Sequence, residues 1–362
     1  MTRRALYVSA LFLLLAGGLN HAAGQPRGAA ERTRLQRWIG MLYARRTAAL
    51  VTGDVSALGP LYDRSRSGRE ALDHETSRVA HLHAWLDLHR ARLLSARPHL
   101  RLVEFEKEGE NRITVYVTLT TLLTYVYPDQ RPGRDNLFGY TTYHVLTVAP
   151  RGERWVVERE WYEDPLWEQQ QVGDGYPAGL RIASLPSAGP LSARRRSAAA
   201  YADRYSGVVV PGRADGRYNR RYPEFTFRGG DCSNFASQIL TDPDAGGLAR
   251  DWSWCVDSHG ATVAWTRADA MVDHLLGTGR AVLLSRETLS GLVAGSALAR
   301  LRPGDLIGYQ KRDTVRHISV VTARDSRGWP LVNSHTADRY HVPCDLGWGA
   351  HVVYWLLQTA LP

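Results

Sequence analysis

The residues of this chain best placed to do covalent chemistry lie in the run GGDCSNFASQIL from Gly229 to Leu240, where Cys232 stands between a glycine-rich turn and the opening of a short amphipathic helix. Unpaired amides and the positive end of the helix dipole favour thiolate over thiol at such a position, and the thiolate is the nucleophile. Downstream come RPGDLIGYQ, then HISVVTA with His317 opening an apolar strand, then PLVNSHT carrying Asn333 and His335. Attack on an amide needs a thiolate, a proton carrier for the leaving amine, a group that orients the carrier, and donors for the oxyanion. Cys232 is the candidate nucleophile and His317 the candidate base; Asn333 and His335, two apart on one strand face, compete for the orienting role, with Asn333 preferred. The Cys232 amide is the expected first oxyanion donor, Tyr222 a candidate second, and Asp231 is expected to cap the helix. A zinc site drawn from Cys232, His317, His335, His341 and Cys344 is the competing chemistry, but these residues lack compact ligand spacing, and no cofactor or metal is expected.

Each of those groups needs a scaffold. Phe235 and Ile239, four apart, with Leu240, give the Cys232 helix an apolar side to bury against a sheet. Asp325-Ser326-Arg327-Gly328 has hairpin-turn composition, so LVNSHT is expected to return antiparallel to the His317 strand. Upstream, SAAAYADRYSG predicts a helix with Ser197 as its N-cap, and a second domain is expected over 196–362. The stretch QQQVGDGYPAGLRIASLPSAGPLSARR, rich in Gly, Pro, Ser and Ala, reads as a linker over 166–195, with Arg194-Arg195-Arg196 as a protease-sensitive junction. Trp252, Trp254, Trp265 and Trp348 are either walls of a cleft or core.

Over 30–165 helical periodicity comes first and strand periodicity after. Leu35, Trp38, Ile39, Leu42 and Tyr43 recur at helical spacing within 32–51, as do Leu72, Val79, Leu82, Leu86 and Leu93 within 69–94. HLRLVEFEKE, NRITVYVTLTTLLTYVY, YTTYHVLTVAP and RWVVEREWYED then predict four antiparallel strands, giving a small α+β accessory domain. Its outline resembles the cystatin-like and nuclear-transport-factor-like folds. His74, His81, His83 and His89 on the second helix have no converging cysteines and read as solvated or locally bonded rather than as metal ligands.

At 362 residues, with 44% hydrophobic composition, the chain can fill a core in each half. MTRRALYVSALFLLLAGGLNHAAGQ joins Arg3 and Arg4 to an apolar stretch from Ala5 to Ala16 and then small residues. This predicts a signal peptide over 1–24, a secreted protein of the cell envelope, and no transmembrane segment after its removal. Losing those two arginines lowers the net charge from +9 to +7. The charge is scattered arginine, Lys107 and Lys311 being the lysines; it reads either as a solvated surface or as a face for anionic cell-wall polymers. Nucleic acid is not an expected partner, because no basic and aromatic stripe or recognition motif accompanies the charge. Three cysteines suit one pair and one remaining thiol, which leaves a Cys255–Cys344 bridge open in an oxidising compartment.

GGDCSNFASQIL, RPGDLIGYQ, HISVVTA and PLVNSHTADRY, with Tyr201 and Tyr205 on the leading helix and the Gly246-Gly247 step, resemble the putative amidase domain family of secreted bacterial proteins. That family is similar in layout to papain-like cell-wall hydrolases and CHAP amidases. The resemblance covers about 196–362. It implies a papain-like α+β cysteine hydrolase with Cys232 as nucleophile, His317 as base and then acid, and Asn333 at the position of the polar third residue. The implied substrate is a peptide or peptidoglycan-type amide, cleaved through a thioacyl-enzyme intermediate. A non-catalytic wall-binding or interaction protein on the same scaffold is the alternative.

Overall fold

The computed structural model describes residues 29–108, 111–152, 154–166, 175–177, 179–186, 189–258 and 260–362, so the signal peptide expected over 1–24 lies outside the described residues. The chain is α+β, with helices and antiparallel sheet in both of the units into which it divides. Unit 1 gathers residues to Ala80 with Ala96–Thr121 and Thr142–Asp164; unit 2 gathers His81–Ser95, Leu122–Thr141 and Pro165–Pro362. Residues 81–95 and 122–141, which precede the linker in sequence, therefore count with unit 2. Among the described residues no helix is long and apolar enough to cross a membrane.

In unit 1, α1 (Ala29–Thr52) buries Leu35, Ile39, Leu42, Tyr43 and Leu50, the stripe that its periodicity predicts. The helix α2 (Arg66–His89) ends five residues earlier than its periodicity suggests. Arg90 takes φ +50° there, a left-handed stop that lets the Ala91 amide reach back to the Leu86 carbonyl. The strands β1 (Arg92–Glu108), β2 (Arg112–Val126), β3 (Asn136–Arg151) and β4 (Arg154–Trp161) follow, and within unit 1 they are ordered β1-β2-β3-β4.

The interior of unit 1 holds charge as well as hydrocarbon. Arg46 Nη1 donates to Glu160 Oε1 at 2.9 Å, and a second bond joins Nη2 to Oε2. His144 Nδ1 lies 2.8 Å from the same Oε1, while Arg78 Nε sits 3.0 Å from an Asp164 oxygen. Burial by itself raises the Glu160 carboxyl, but Arg46 and His144 outweigh it and hold the group well below the ordinary carboxylate range. A carboxyl depressed in the folded state stabilises fully above its unfolded value of ~4.3 and loses that contribution as pH falls below it. Glu160→Gln is therefore expected to flatten the decline in urea midpoint between about pH 5 and 3; a variant as acid-sensitive as the wild type contradicts this.

Unit 2 is built on an antiparallel sheet. Its strands are β5 (Ala281–Thr288), β6 (Leu306–Lys311), β7 (Thr314–Arg324), β8 (Pro330–Ser334), β9 (Asp338–Pro343) and β10 (Val353–Thr359), with residues 139–141 of β3 paired to β9. The order across the unit is β3-β9-β8-β7-β6-β10-β5. Helices α3 (Ala193–Arg204), α4 (Cys232–Thr241) and α5 (Ala268–Gly277) pack through Ala198, Phe235, Ile239, Leu240, Met271 and Leu275 onto one face, against Leu306, Ile318 and Val320. The opposite face carries Tyr309, Val321, Trp329, Val332 and Trp348 in a second cluster.

Three expectations are corrected here. The N-cap of α3 is Ser192, whose Oγ accepts the Arg195 amide at 3.2 Å, so Ser197 lies inside the helix. Arg195 is no loose junction either: it is 5% exposed and donates to Asp305, Pro303 O and Thr359 O. The three cysteines are all thiols, and no disulfide joins Cys255 to Cys344. Among the tryptophans, Trp254 and Trp265 are fully buried in the helix-side core and Trp252 is 90% exposed, so the four do not form one wall.

Candidate active site

Cys232 is the first residue of α4, and the turn before it is set by Gly229 and Gly230 at φ +114° and +116°. A side chain at Gly230 would meet Thr336 Oγ1 at 3.3 Å, so backbone of this sign and closeness calls for glycine. Every residue of α4 is buried, and Cys232 keeps 8% of its surface open. Its Sγ lies 3.9 Å from Ser233 Oγ.

Asp231 does not cap the helix as expected, and no side-chain bond from it reaches the leading amides. Oδ1 instead accepts the Phe225 amide at 2.7 Å and Asn234 Nδ2 at 2.9 Å, and Oδ2 lies 2.6 Å from His335 Nδ1. The Asp231 amide donates to Thr336 Oγ1. The N-terminus of α4 is thus fastened to the segment that follows β8, and its dipole is left facing the thiol rather than a capping carboxylate.

The strand ladder fixes where the other candidates stand. Val320 of β7 pairs with Asn333 of β8, and Val321 with Val332, so lower numbers in β7 run beside higher numbers in β8. His317 in β7 and residues 335–336 after β8 are therefore at the same end of this strand pair, the end to which the Asp231 turn is tied. His317 is 4% exposed and pairs with Tyr309 across the β6–β7 ladder. Its ring stands 5.7 Å from the Tyr309 ring and 5.5 Å from that of Trp348. Its Nε2 is 3.4 Å from Arg339 Nη1, so a guanidinium faces the ring.

Asn333 does not orient that ring. His317 and Val320 are three apart, so alternation sends their side chains to opposite faces. Val320, and Asn333 with it, goes to the face that receives α4 and His317 to the face of Tyr309 and Trp348, so the structure sets the candidate base and the Cys232 helix on different faces of the sheet. Its Oδ1 accepts Thr322 Oγ1 at 3.0 Å and the His341 amide at 2.7 Å, and its Nδ2 donates to Asp203 at 2.9 Å. Strand counting alone misses this because it places Asn333 on the right strand without fixing the register. Arg339, 1% exposed on β9, also meets the His317 ring, and sequence spacing gives no reason to single it out. Arg339 also donates to Ser334 Oγ and to Pro165 O. Since a neighbouring cation disfavours protonation of the ring, Arg339→Gln is expected to move the acid limb of the pH–rate profile upward by about half a unit to one unit. An unmoved acid limb in a folded variant would count against this coupling.

Tyr222 is not at the thiol. Its hydroxyl donates to Asp242, which follows the last residue of α4, and a ten-residue helix is ~15 Å long. Of the remaining sulfur and nitrogen ligands, Cys344 lies in the apolar cluster of the far face, where burial pushes its thiol well above the ordinary value. His341 Nε2 is 2.9 Å from Asp203. Among the described residues no group of three or more His, Cys, Asp or Glu could hold a metal ion.

Residues 192–356 match the family described as "Putative amidase domain". The chain is similar to "Uncharacterized protein YhbB" of Bacillus subtilis (strain 168), with 30% identity over 185 residues, which are 49% of this chain and 56% of that protein. The match therefore spans little more than half of that relative's length. A solved structure described as "Putative Scytalone Dehydratase" from Novosphingobium aromaticivorans DSM 12444 is 14% identical, covering 38% of this chain and 87% of its own, at a TM-score of 0.26. At that score the likeness carries no argument.

Proposed function

We propose that unit 2 is a cysteine-dependent amide hydrolase of the cell envelope, with Cys232 as nucleophile and His317 in the role of base and acid that the family resemblance gives it, a role that requires its ring to leave the far-face cluster of Tyr309 and Trp348. The observation that carries this reading is the position of Cys232, on the first residue of a buried helix whose preceding carboxylate is turned away from the leading amides. The match of residues 192–356 to the amidase family supports the same class of reaction. In the first step Sγ attacks the amide carbon and its proton passes to His317. The tetrahedral intermediate, its oxyanion held at the α4 amides, collapses to a thioester as His317 gives that proton to the departing amine. Water then attacks the thioester, losing its proton to His317, and releases the acid and the thiol.

Peptidoglycan stem peptides are the proposed substrates, because the apolar leader and the net charge of +7 that remains without it suit a protein sent out to an anionic wall. Incubating the full chain with defined muropeptides and weighing the products is expected to show two fragments that together exceed the substrate by one water. Intact muropeptides, with Cys232 unreactive toward a small alkylating agent at neutral pH, would favour the non-catalytic scaffold instead.

A further inference from the structure

His335 entered as a rival for the role of ring-orienting group, and its surroundings assign it another. The ring is 1% exposed and lies flat between Tyr218 and Phe235, each with centroids 3.8 Å away and planes within 12°. Nε2 is 2.7 Å from the Tyr205 carbonyl, an atom that only accepts, so Nε2 carries a proton. Nδ1 is 2.6 Å from Asp231 Oδ2, and a second proton must lie between these two atoms. Asp231 Oδ1 already accepts two N–H donors, so the carboxylate is an acceptor on both oxygens and the shared proton is assigned to the ring.

We propose that His335 is held as a buried imidazolium that fixes the Asp231–Cys232 turn, making it a positioning residue for the nucleophile rather than a member of the proton relay. This rests on the hydrolase reading above. With both nitrogens donating, the ring has no lone pair to offer His317 or the thiol. Its charge balances a carboxylate one residue from Cys232 that would otherwise oppose thiolate formation. The groups facing it are Asp231 from the turn, Asp338 from β9, Tyr218 and Glu224 from the loop between α3 and α4, and the Tyr205 carbonyl. Burial opposes the charge, but Asp231 with Asp338 and the Tyr205 carbonyl outweigh it and raise the ring's proton affinity above that of an ordinary histidine. The backbone supports a fixed device here. Thr336 and Ala337 take φ +61° and +58°, a costly conformation for a β-branched residue, and Thr336 Oγ1 is the atom that receives the Asp231 amide.

The test is nitrogen-15 NMR of the histidine rings in the full chain, with iodoacetamide labelling of Cys232 read by peptide mass mapping. His335 is expected to show two protonated ring nitrogens to above pH 8, and loss of either proton by pH 7 overturns the proposal. His335→Gln is expected to slow Cys232 labelling at pH 7 by about tenfold, the change for one unit of thiol pKa, and Asp231→Asn with His335→Gln to recover most of it by removing both charges. A folded His335→Gln protein that labels like the wild type overturns the positioning role. If wild-type Cys232 does not label while the ring is doubly protonated, the hydrolase reading fails and the positioning role falls with it.

Discussion

Cys232→Ala is expected to abolish amide hydrolysis, lowering kcat by at least about 10⁴-fold while far-ultraviolet circular dichroism and the urea midpoint stay close to wild type. The asymmetry between activity and stability follows from the position of the residue. The thiol sits at the first residue of α4, whereas the packing of the helix against the sheet is made by Phe235, Ile239 and Leu240. Removing one sulfur at the rim of that core costs little burial, and the helix start is held by Asp231, Gly229 and Gly230, which the substitution leaves in place. Because nucleophile and base act as a unit, His317→Ala added to Cys232→Ala should lower the rate little further. Product mass analysis on muropeptides checks both, and a Cys232→Ala protein that still cleaves ends the thioester mechanism.

Asp305→Ala is expected to destabilise the protein by ~3–5 kcal/mol, the range for removing one partner of a buried ion pair. Asp305 is fully buried between Gly304 and the first residue of β6. Its Oδ1 accepts Arg195 Nη1 at 2.8 Å and the Thr359 amide at 3.0 Å, and its Oδ2 accepts the Arg302 amide at 2.8 Å. One carboxylate thereby joins α3, the turn into β6 and the end of β10. The alanine leaves the Arg195 charge in the interior with two carbonyls and no anion. Arg195→Met with Asp305→Leu should recover most of the loss, since the charge then goes with its partner. Urea unfolding measures both variants, and a loss below ~1 kcal/mol for Asp305→Ala would show that the pair is no anchor. Gly304 is part of the same construction: at φ +90° a Cβ would stand 2.5 Å from the Leu361 side chain.

RPGDLIGYQ is a clear sequence motif whose role is visible only in three dimensions. From the sequence it is one of the stretches that carry the family resemblance; in the structure its aspartate pairs with Arg195 from the segment read as a cleavable linker. The error has a simple cause. Arg194, Arg195 and Arg196 are indistinguishable as a basic run, and only the turn of α3 decides that the middle one faces inward.

What the sequence determined by itself is the local chemistry and the local backbone. The glycine pair before Cys232, the apolar spacing of Phe235 and Ile239, the alternation of β7 and β8 and the turn between them each depend on neighbours within a few residues. Periodicity and turn propensity report such neighbours directly. What only the tertiary structure decided is which side chains meet. A register set by Val320 opposite Asn333 removed Asn333 from the His317 ring, and a contact 104 residues apart in sequence gave Asp231 to His335 instead of to the helix amides. Arg339 reached His317 from the next hairpin. Side-chain face inverts with each single step of register, and buried charges take whichever partner the packed fold brings within hydrogen-bond reach.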